Sequence, residues 1–410
     1  MKIRIYYTAV RCFVALLTIG GMVACQNADD ESDEQSEAMA SKAPEVVKLS
    51  TIQRSTASTR TLIAVTDSAS YQAEDYAQAI SSWPMMSYAG ESVAKVMAPM
   101  LNFAVKCRVP VMDELFAQRL GTPSDSLRQW QVERYVFTYN SVSGVTGNDT
   151  VLVGSVVFPN NTLGRSHEVD MLTLYHHQAY FFESWLPSQS LTLMAMHALH
   201  NSAVIEPDAQ GAEWNMQNLI ASYAQGDLTC LQMVDCVLAA LEVMRNHGVT
   251  TSQDCYSNNW GTSLGTSAAT GFAQYMENDA PEDLQRLINL RASYIGEGPL
   301  MLSHLRGYEN AVENLKEQSY YYGWHPRLPF YISCCPNDEL IKYDGLKEYY
   351  NHLRMLPNGT ILSNVHWLDV NVPHNVLDKI LNNHLQTAVL TLLYISMVED
   401  PSDMEGVLQN

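Results

Sequence analysis

Strand-like runs alternate with helix-like runs over most of this chain, and this alternation restricts the possible folds more than any other feature. Short apolar runs are separated by longer amphipathic stretches, which indicates strands joined by crossover helices. The strand-like segments are 131–142, 150–160, 169–177, 202–211, 255–260, 287–296, 328–335 and 361–370. The helix-like segments are 191–201, 227–248, 265–279, 339–354 and 376–398. We therefore expect an α/β fold with an eight-stranded, mostly parallel sheet and helices on both faces.

The first two strand-like segments depart from the crossover pattern. The sequence SGVTGND at 143–149 reads as a tight turn, so these two strands are expected to form an antiparallel hairpin. Upstream, residues 71–130 have helix-like spacing interrupted by prolines, which favours a few short helices that cover the body. Residues 131–398 are expected to form the main domain, and residues 399–410 a C-terminal tail.

The N-terminus reads as an export signal. Residues 1–24 combine a basic front with an apolar stretch that is too short to span a membrane. The stretch ends at Met22-Val23-Ala24-Cys25, which resembles the lipobox of bacterial lipoproteins and implies cleavage before Cys25 and a lipid on that cysteine. A plain secretory signal is the alternative.

An acidic segment follows the proposed lipid anchor. Residues 25–70 include a dense run of aspartate and glutamate, so they are expected to be a disordered tether. The run is also similar to the surface-export signal of Bacteroidetes lipoproteins, which implies an outer-membrane lipoprotein exposed at the cell surface; the alternatives are a periplasm-facing or a secreted protein. The net charge of −20 argues against nucleic acid or an anionic membrane surface as a partner. Membrane contact is then expected only through the lipid on Cys25.

The central question about chemistry is posed by Gly261-Thr262-Ser263-Leu264-Gly265, a G-x-S-x-G motif. It falls where a strand meets a helix, where flanking glycines allow the sharp turn that exposes a serine nucleophile. The helix that follows begins with small residues and can approach the sheet closely. Ser263 is therefore the candidate nucleophile, and Gly261 and Gly265 form its turn.

A nucleophilic serine needs a base and an orienting acid, expected in the chain order serine, acid, histidine. Asp338 follows the strand 328–335 directly and is the candidate acid, with Glu339 as the alternative. His374 lies between the last strand and the last helix, where a base can reach Ser263. The later histidines that fall within predicted helices or strands, and are expected to serve packing, are His352, His366 and His384.

An oxyanion hole needs two backbone N–H groups. One is expected from Leu264, and the other from His177 or Gln178, which follow the strand 169–177. His176, His177, His197 and His200 carry no recognisable metal-binding motif, so the sequence predicts neither a metal nor another cofactor. The six cysteines of the main body include no zinc-like pair, and the adjacent Cys334 and Cys335 are expected to be buried thiols.

These motifs together resemble the α/β-hydrolase superfamily, and secretory-lipase-like serine esterases in particular, over residues 131–398. The segments IEPDAQG (205–211), ASYIGEGP (292–299), PNDELIKYDGLKEYY (336–350) and PHNVLDKI (373–380) resemble the loops of that family. Three features depart from it: a second histidine in the oxyanion loop, Thr266 in place of a glycine, and the polar strand CYSNNW.

The resemblance implies a serine carboxylic-ester hydrolase that forms an acyl-enzyme and acts on a small-molecule, acylated-glycan or lipid ester. A cap is expected at about 297–327, and aromatic residues in it could line a pocket or simply pack; they are Tyr320, Tyr321, Tyr322 and Trp324. The alternatives are a surface binding lipoprotein on a catalytically dead scaffold and a serine aminopeptidase of the same fold. The sequence leaves the oligomeric state open.

Overall fold

A computed structural model gives the structure of the chain and describes residues 61–88, 91–122, 128–143, 148–178, 180, 182–208, 226–298, 324–336, 338, 340–370, 391–393 and 395–404. Nine strands of these residues form one sheet: β1 Leu62–Tyr71, β2 Trp130–Val142, β3 Asp149–Asn161, β4 His167–His176, β5 Ser202–Pro207, β6 Val249–Thr262, β7 Leu290–Gly296, β8 Phe330–Cys334 and β9 Val365–Asp369. Their order across the sheet is β1-β2-β3-β5-β4-β6-β7-β8-β9.

The direction of the strands divides the sheet into two parts. Strands β1, β2, β3 and β5 pair antiparallel, whereas β5, β4, β6, β7, β8 and β9 are parallel neighbours. Every residue of β5 and of β8 is buried, as expected for parallel strands covered on both faces. The carboxyl ends of β4, β6, β7, β8 and β9 therefore lie at one edge of the sheet, where open α/β sheets bind their ligands.

The helices lie on both faces of this sheet. They are α1 Ala73–Ser81, α2 Pro84–Tyr88, α3 Glu91–Leu120, α4 Gly226–Asn246, α5 Gly265–Asn278, α6 Glu282–Ile288 and α7 Tyr343–Arg354, with 3-10 helices at Glu183–Trp185 and Leu193–His200. One core lies between the sheet and the N-terminal helices, the 3-10 helix Leu193–His200 and the helical turns at 391–393 and 395–397. On the opposite face, helices α4, α5, α6 and α7 cover the sheet. None of the described helices is long and apolar enough to cross a membrane.

The α/β fold predicted from the sequence, a mostly parallel sheet with helices on both faces, is present with one strand more than expected. The predicted tether over 25–70 was wrong at its carboxyl end, because residues 62–70 form most of β1, which pairs antiparallel with β2. The strand was missed because most of its side chains are exposed, so it has no continuous apolar run. Cys25 and the rest of the tether up to residue 60 lie outside the described residues.

Two other expectations near the ends of the chain are corrected. Instead of several short helices, residues 91–120 form a single helix with Pro99 and Pro110 inside it. A proline costs a helix about 3 kcal/mol, and here the apolar side chains packed against the core offset that cost: Met97, Met100, Leu101, Ala104, Val105, Met112 and Phe116. The tail predicted from residue 399 is packed in its first part, where Glu399 pairs with the buried Arg108 at 2.7 Å and Met404 is fully buried.

Candidate active site

The turn that follows β6 holds Ser263 in an unusual backbone conformation. Its φ is +50°, and among the described residues only three other non-glycine residues have a positive φ. The Ser263 amide donates to Gly296 O at 2.9 Å, and the Ser263 carbonyl accepts from the amide of Thr266 at 3.0 Å. Such a conformation costs on the order of 1–3 kcal/mol, so the surrounding contacts must impose it. The sharp strand-to-helix turn that the sequence predicted at this position is therefore present, and its backbone is strained.

The two glycines of the motif leave no room for a side chain. A Cβ at Gly261 would lie 2.4 Å from the carbonyl oxygen of Gly265 and 2.6 Å from the Cβ of Ala269. A Cβ at Gly265 would lie 2.0 Å from the carbonyl oxygen of His176. The first glycine therefore lets α5 approach β6, and the second lets the turn approach the end of β4.

The end of β4 brings the expected oxyanion loop against the serine turn. A Cβ at Gly265 would also lie 3.1 Å from the His177 carbonyl oxygen, so the start of the loop after β4 packs against this turn. The Tyr175 hydroxyl donates to Oε1 of Gln178 and lies 2.9 Å from the hydroxyl of Thr262. This link between the ends of β4 and β6 was not predicted, since it depends on two strands far apart in sequence.

Two N-terminal helices support the same loop. The indole N–H of Trp83, between α1 and α2, donates to Trp185 O at 3.1 Å, and its ring packs edge-on against His177. The Gln178 side-chain amide donates to the sulfur of Met85 at 3.0 Å. The region before residue 130 is therefore part of the frame of the site rather than a separate cover.

Asp338 lies just past the carboxyl end of β8 and is 1% exposed. Its Oδ1 accepts the backbone N–H groups of Leu340 and Ile341, each at 2.8 Å. These bonds fix the carboxyl group and hold the loop in place. The alternative acid, Glu339, lies outside the described residues.

The candidate base, His374, also lies outside the described residues, as does His384. The strand that leads to it, β9, ends at Asp369 next to the end of β8, and the Val370 amide donates to Cys334 O at 3.1 Å. Two of the three histidines that were expected to serve packing lie within the described residues. The ring of His366 stacks on Tyr331, and His352 lies in α7 near the ring of Tyr349.

The loop after β7, where the sequence predicted the start of a cap, packs on the other side of the serine. Glu297 and Gly298 follow β7, and a Cβ at Gly298 would lie 2.0 Å from the Ser263 carbonyl oxygen. The buried hydroxyl of Thr266 donates to Gly296 O at 3.0 Å, so the threonine at this position links the start of α5 to the end of β7. In the sequence this loop lies within the segment ASYIGEGP (292–299).

The histidines near the site are buried, and burial keeps them neutral. It lowers the pKa of His176 to about 3 and that of His177 to about 4. The His177 Nδ1 hydrogen bonds to Gln178 O at 2.6 Å, and the His176 ring packs against Phe272. With these contacts both residues shape the loop, and neither is placed to act as a general base.

The second histidine pair is structural as well. The His197 Nδ1 and Nε2 contact the Thr173 hydroxyl at 2.9 Å and Ile395 O at 2.7 Å, and the Nδ1 of His200 lies 2.8 Å from Glu399. Among the described residues, no group of three His, Cys, Asp or Glu side chains could hold a metal ion. The six cysteines after Cys25 are free thiols, and Cys334 and Cys335 are both buried.

The polar side chains of β6 that precede the serine form buried hydrogen bonds. The side-chain amide of Asn258 donates to Glu399 O at 3.0 Å, and that of Asn259 donates to Ala269 O at 2.8 Å and to the Ser293 hydroxyl at 3.1 Å. These buried amides fasten β6 to the C-terminal segment, α5 and β7. Of the proposed pocket residues, Trp324 packs in the core with its indole N–H directed at Glu277, whereas Tyr320, Tyr321 and Tyr322 lie outside the described residues.

No protein-family model and no curated protein matches this chain by sequence. Similar solved structures include a protein of Legionella pneumophila, with 16% identity, a TM-score of 0.46, and 70% of this chain and 93% of that chain covered. They also include the rice cell wall degrading esterase LipA from Xanthomonas oryzae, with 12% identity, a TM-score of 0.47, and 69% of this chain and 94% of that chain covered. Candida antarctica lipase A has 12% identity and a TM-score of 0.42, with 68% of this chain and 84% of that chain covered. At these values the likeness carries no argument about chemistry, so the site alone must support the function.

Proposed function

We propose that the protein is a serine carboxylic-ester hydrolase that works through an acyl-enzyme intermediate. The observation that carries the proposal is the backbone of Ser263, held at φ +50° between two glycine positions that admit no Cβ. A serine in a purely structural turn needs neither the strain nor the contact with the end of a neighbouring strand.

In this proposal His374 takes the proton of the Ser263 hydroxyl as its oxygen attacks the ester carbonyl, and Asp338 orients the imidazole. His374 then returns the proton to the leaving alcohol, and the acyl group stays on Ser263. Water, deprotonated by the same histidine, releases the acid. The burial of Asp338 and the two backbone bonds to its Oδ1 support this role, because they leave the carboxyl fixed in orientation.

The proposed oxyanion hole consists of the amide of Leu264 and one amide of His177 or Gln178. The contact of Gly265 with the His176 carbonyl supports it, because it brings the two pieces of backbone together. Phe182, half exposed beyond this loop, offers an apolar surface to an acyl chain. We propose a small, glycan-borne or lipid ester as substrate and, from the lipobox, a lipid anchor on Cys25 at the outer membrane.

The test is hydrolysis of p-nitrophenyl esters, from acetate to laurate, by the full chain purified in detergent. Ser263→Ala is expected to abolish turnover, and Asp338→Asn and His374→Ala to lower kcat by about a thousandfold or more. Ser267→Ala, which changes another buried serine in α5, is the matched control and should keep its activity.

Two outcomes would point away from esters. Cleavage of amino-acyl p-nitroanilides in preference to every ester would favour a serine aminopeptidase. A folded wild type that turns over neither class would reject the hydrolase and favour a binding lipoprotein.

A further inference from the structure

Glu297 lies between the serine turn and the acid loop and has an unusual conformation of its own. Its φ is +45° and its side chain is 0% exposed. A glycine would adopt this backbone conformation without strain, yet this buried position holds a glutamate, an ionisable residue that is rarely found in the interior. Both the strained backbone and the buried side chain of Glu297 must be explained by the contacts around it.

The backbone around Glu297 joins the two halves of the proposed catalytic centre. On one side, Gly296 O accepts the Ser263 amide at 2.9 Å, and Gly298 packs against the Ser263 carbonyl. On the other side, the Glu297 amide donates to Ser333 O in β8 at 3.2 Å. Asp338 follows β8 in the chain, so Glu297 is the residue through which the nucleophile and the acid are connected.

The side chain extends the same connection. Its Oε1 accepts the Ser333 hydroxyl at 3.2 Å, and that hydroxyl lies 2.6 Å from the hydroxyl of Tyr294. Within the described part of the chain, the hydroxyls of Ser333 and Thr391 are the hydrogen-bonding side chains that act on this carboxyl group, and both are neutral. A buried carboxyl group that faces only neutral hydroxyls is far more costly as an anion than as an acid.

We propose that Glu297 is a positioning residue of this site, whose protonated carboxyl keeps the serine turn and the acid loop in register. The inference rests on the proposed serine-hydrolase function. Ionisation would place a second buried negative charge beside Asp338, the two loops would separate to admit water, and the catalytic geometry would be lost.

The electrostatic surroundings agree with a neutral carboxyl at neutral pH. Burial, followed by the charge of Asp338, raises the pKa of Glu297 to about 8, although Thr391 and Ser333 oppose the rise. The other titratable groups that face it are Tyr294 in β7 and Cys334 in β8, and none of the described groups facing it is a cation. Burial raises the pKa of both the tyrosine and the cysteine well above their ordinary values, so among these described groups only Glu297 ionises near pH 8.

The test is the pH dependence of the rate at which a fluorophosphonate probe labels the full chain. The wild-type rate should fall above pH 8 and approach a fall of about tenfold per pH unit, as for a single ionisation. In Glu297→Gln, which stays neutral, this alkaline fall should disappear while the rate at pH 7 is kept. Glu277→Gln is the matched control. Glu277 is also buried, but its carboxyl group accepts hydrogen bonds from the backbone N–H groups of Arg327 and Leu328, near the amino end of β8.

Circular dichroism at each pH measures whether the fold is intact. A wild type that remains folded and labels equally fast from pH 7 to 9.5 would overturn the inference without any variant, even if Glu297→Gln fails to fold. The same alkaline fall in wild type and Glu297→Gln would also overturn it and leave the hydrolase standing. A wild type that never labels would instead reject the proposed function itself.

Discussion

Ser263 occupies its strained conformation because neighbouring backbone leaves it no alternative. Its amide and carbonyl are bonded to Gly296 and Thr266, and the flanking glycines are in contact with backbone or side-chain atoms of α5 and β4. The motif in the sequence was sufficient to predict this turn, because the physical requirement is local. The links made by Tyr175, Thr262 and Glu297 could not be predicted, because they depend on which strand ends become neighbours.

The variant Gly265→Ala tests this packing. Its Cβ would lie 2.0 Å from the carbonyl oxygen of His176, so the proposed oxyanion loop must move. A displacement of about 1 Å can lower a catalytic rate by about a hundredfold, and we expect a loss of that size in fluorophosphonate labelling. Gly248→Ala is the control: its φ is +78°, but its Cβ would meet nothing closer than Arg165 O at 3.8 Å. If Gly265→Ala labels at the wild-type rate, the glycine is not needed for close approach.

At the scale of the elements, the sequence predicted the strands that are buried and missed those features set by the surroundings. Each of β4, β5, β7 and β8 contains a short, mainly apolar run that is buried, so the sequence pattern was enough to identify it as a strand. Strand β1 has a largely exposed pattern and owes its conformation to pairing with β2. Helix α3 continues through two prolines because its apolar side chains are held by the core.

The N-terminal helices are expected to matter for activity as well as for folding. Trp83→Phe removes the buried hydrogen bond from the indole N–H to Trp185 O, at a cost of about 0.5–1.5 kcal/mol. Because the loop beside it carries the proposed oxyanion amides, kcat for ester hydrolysis should fall while KM changes little.

Trp130→Phe is the matched control for that variant. Trp130 is equally buried and donates to Asp113 at 2.8 Å, but it packs on Phe116 at the amino end of β4. It should lower the urea midpoint similarly and leave kcat unchanged. Equal effects of the two variants on kcat would show that the helices act only through global stability.

At the scale of the whole molecule, buried titratable groups should give the protein its greatest stability near neutral pH. Burial lowers the pKa of five histidines to about 3 or about 4; they are His167, His176, His177, His197 and His200. In the unfolded chain these residues bind protons below about pH 6.5, so the folded state loses stability as the pH falls through that value.

Three buried carboxyl groups act in the opposite direction. Burial raises the pKa of Glu206, Asp208 and Glu297 to about 7, about 6 and about 8, so their stabilising contribution is complete below about pH 4 and is lost as the pH rises through these values.

Below about pH 6 the unfolded chain binds protons at the five histidines, whereas the folded chain binds them at the three carboxyl groups, so the unfolded chain binds about two more. The free energy of unfolding should therefore fall by roughly 3 kcal/mol for each pH unit below pH 6. Urea unfolding from pH 4.5 to 8.5 measures this, and a midpoint that rises on acidification would contradict it.

The central claim is that Ser263 is the nucleophile, and the most direct measurement is the site of covalent modification by a fluorophosphonate. The wild-type chain is labelled, digested and analysed by mass spectrometry, with Ser263→Ala and Ser267→Ala alongside. We expect one adduct on the peptide that contains Ser263, the same adduct in Ser267→Ala and none in Ser263→Ala. An adduct on another residue, or a folded wild type that takes up no probe, would contradict it.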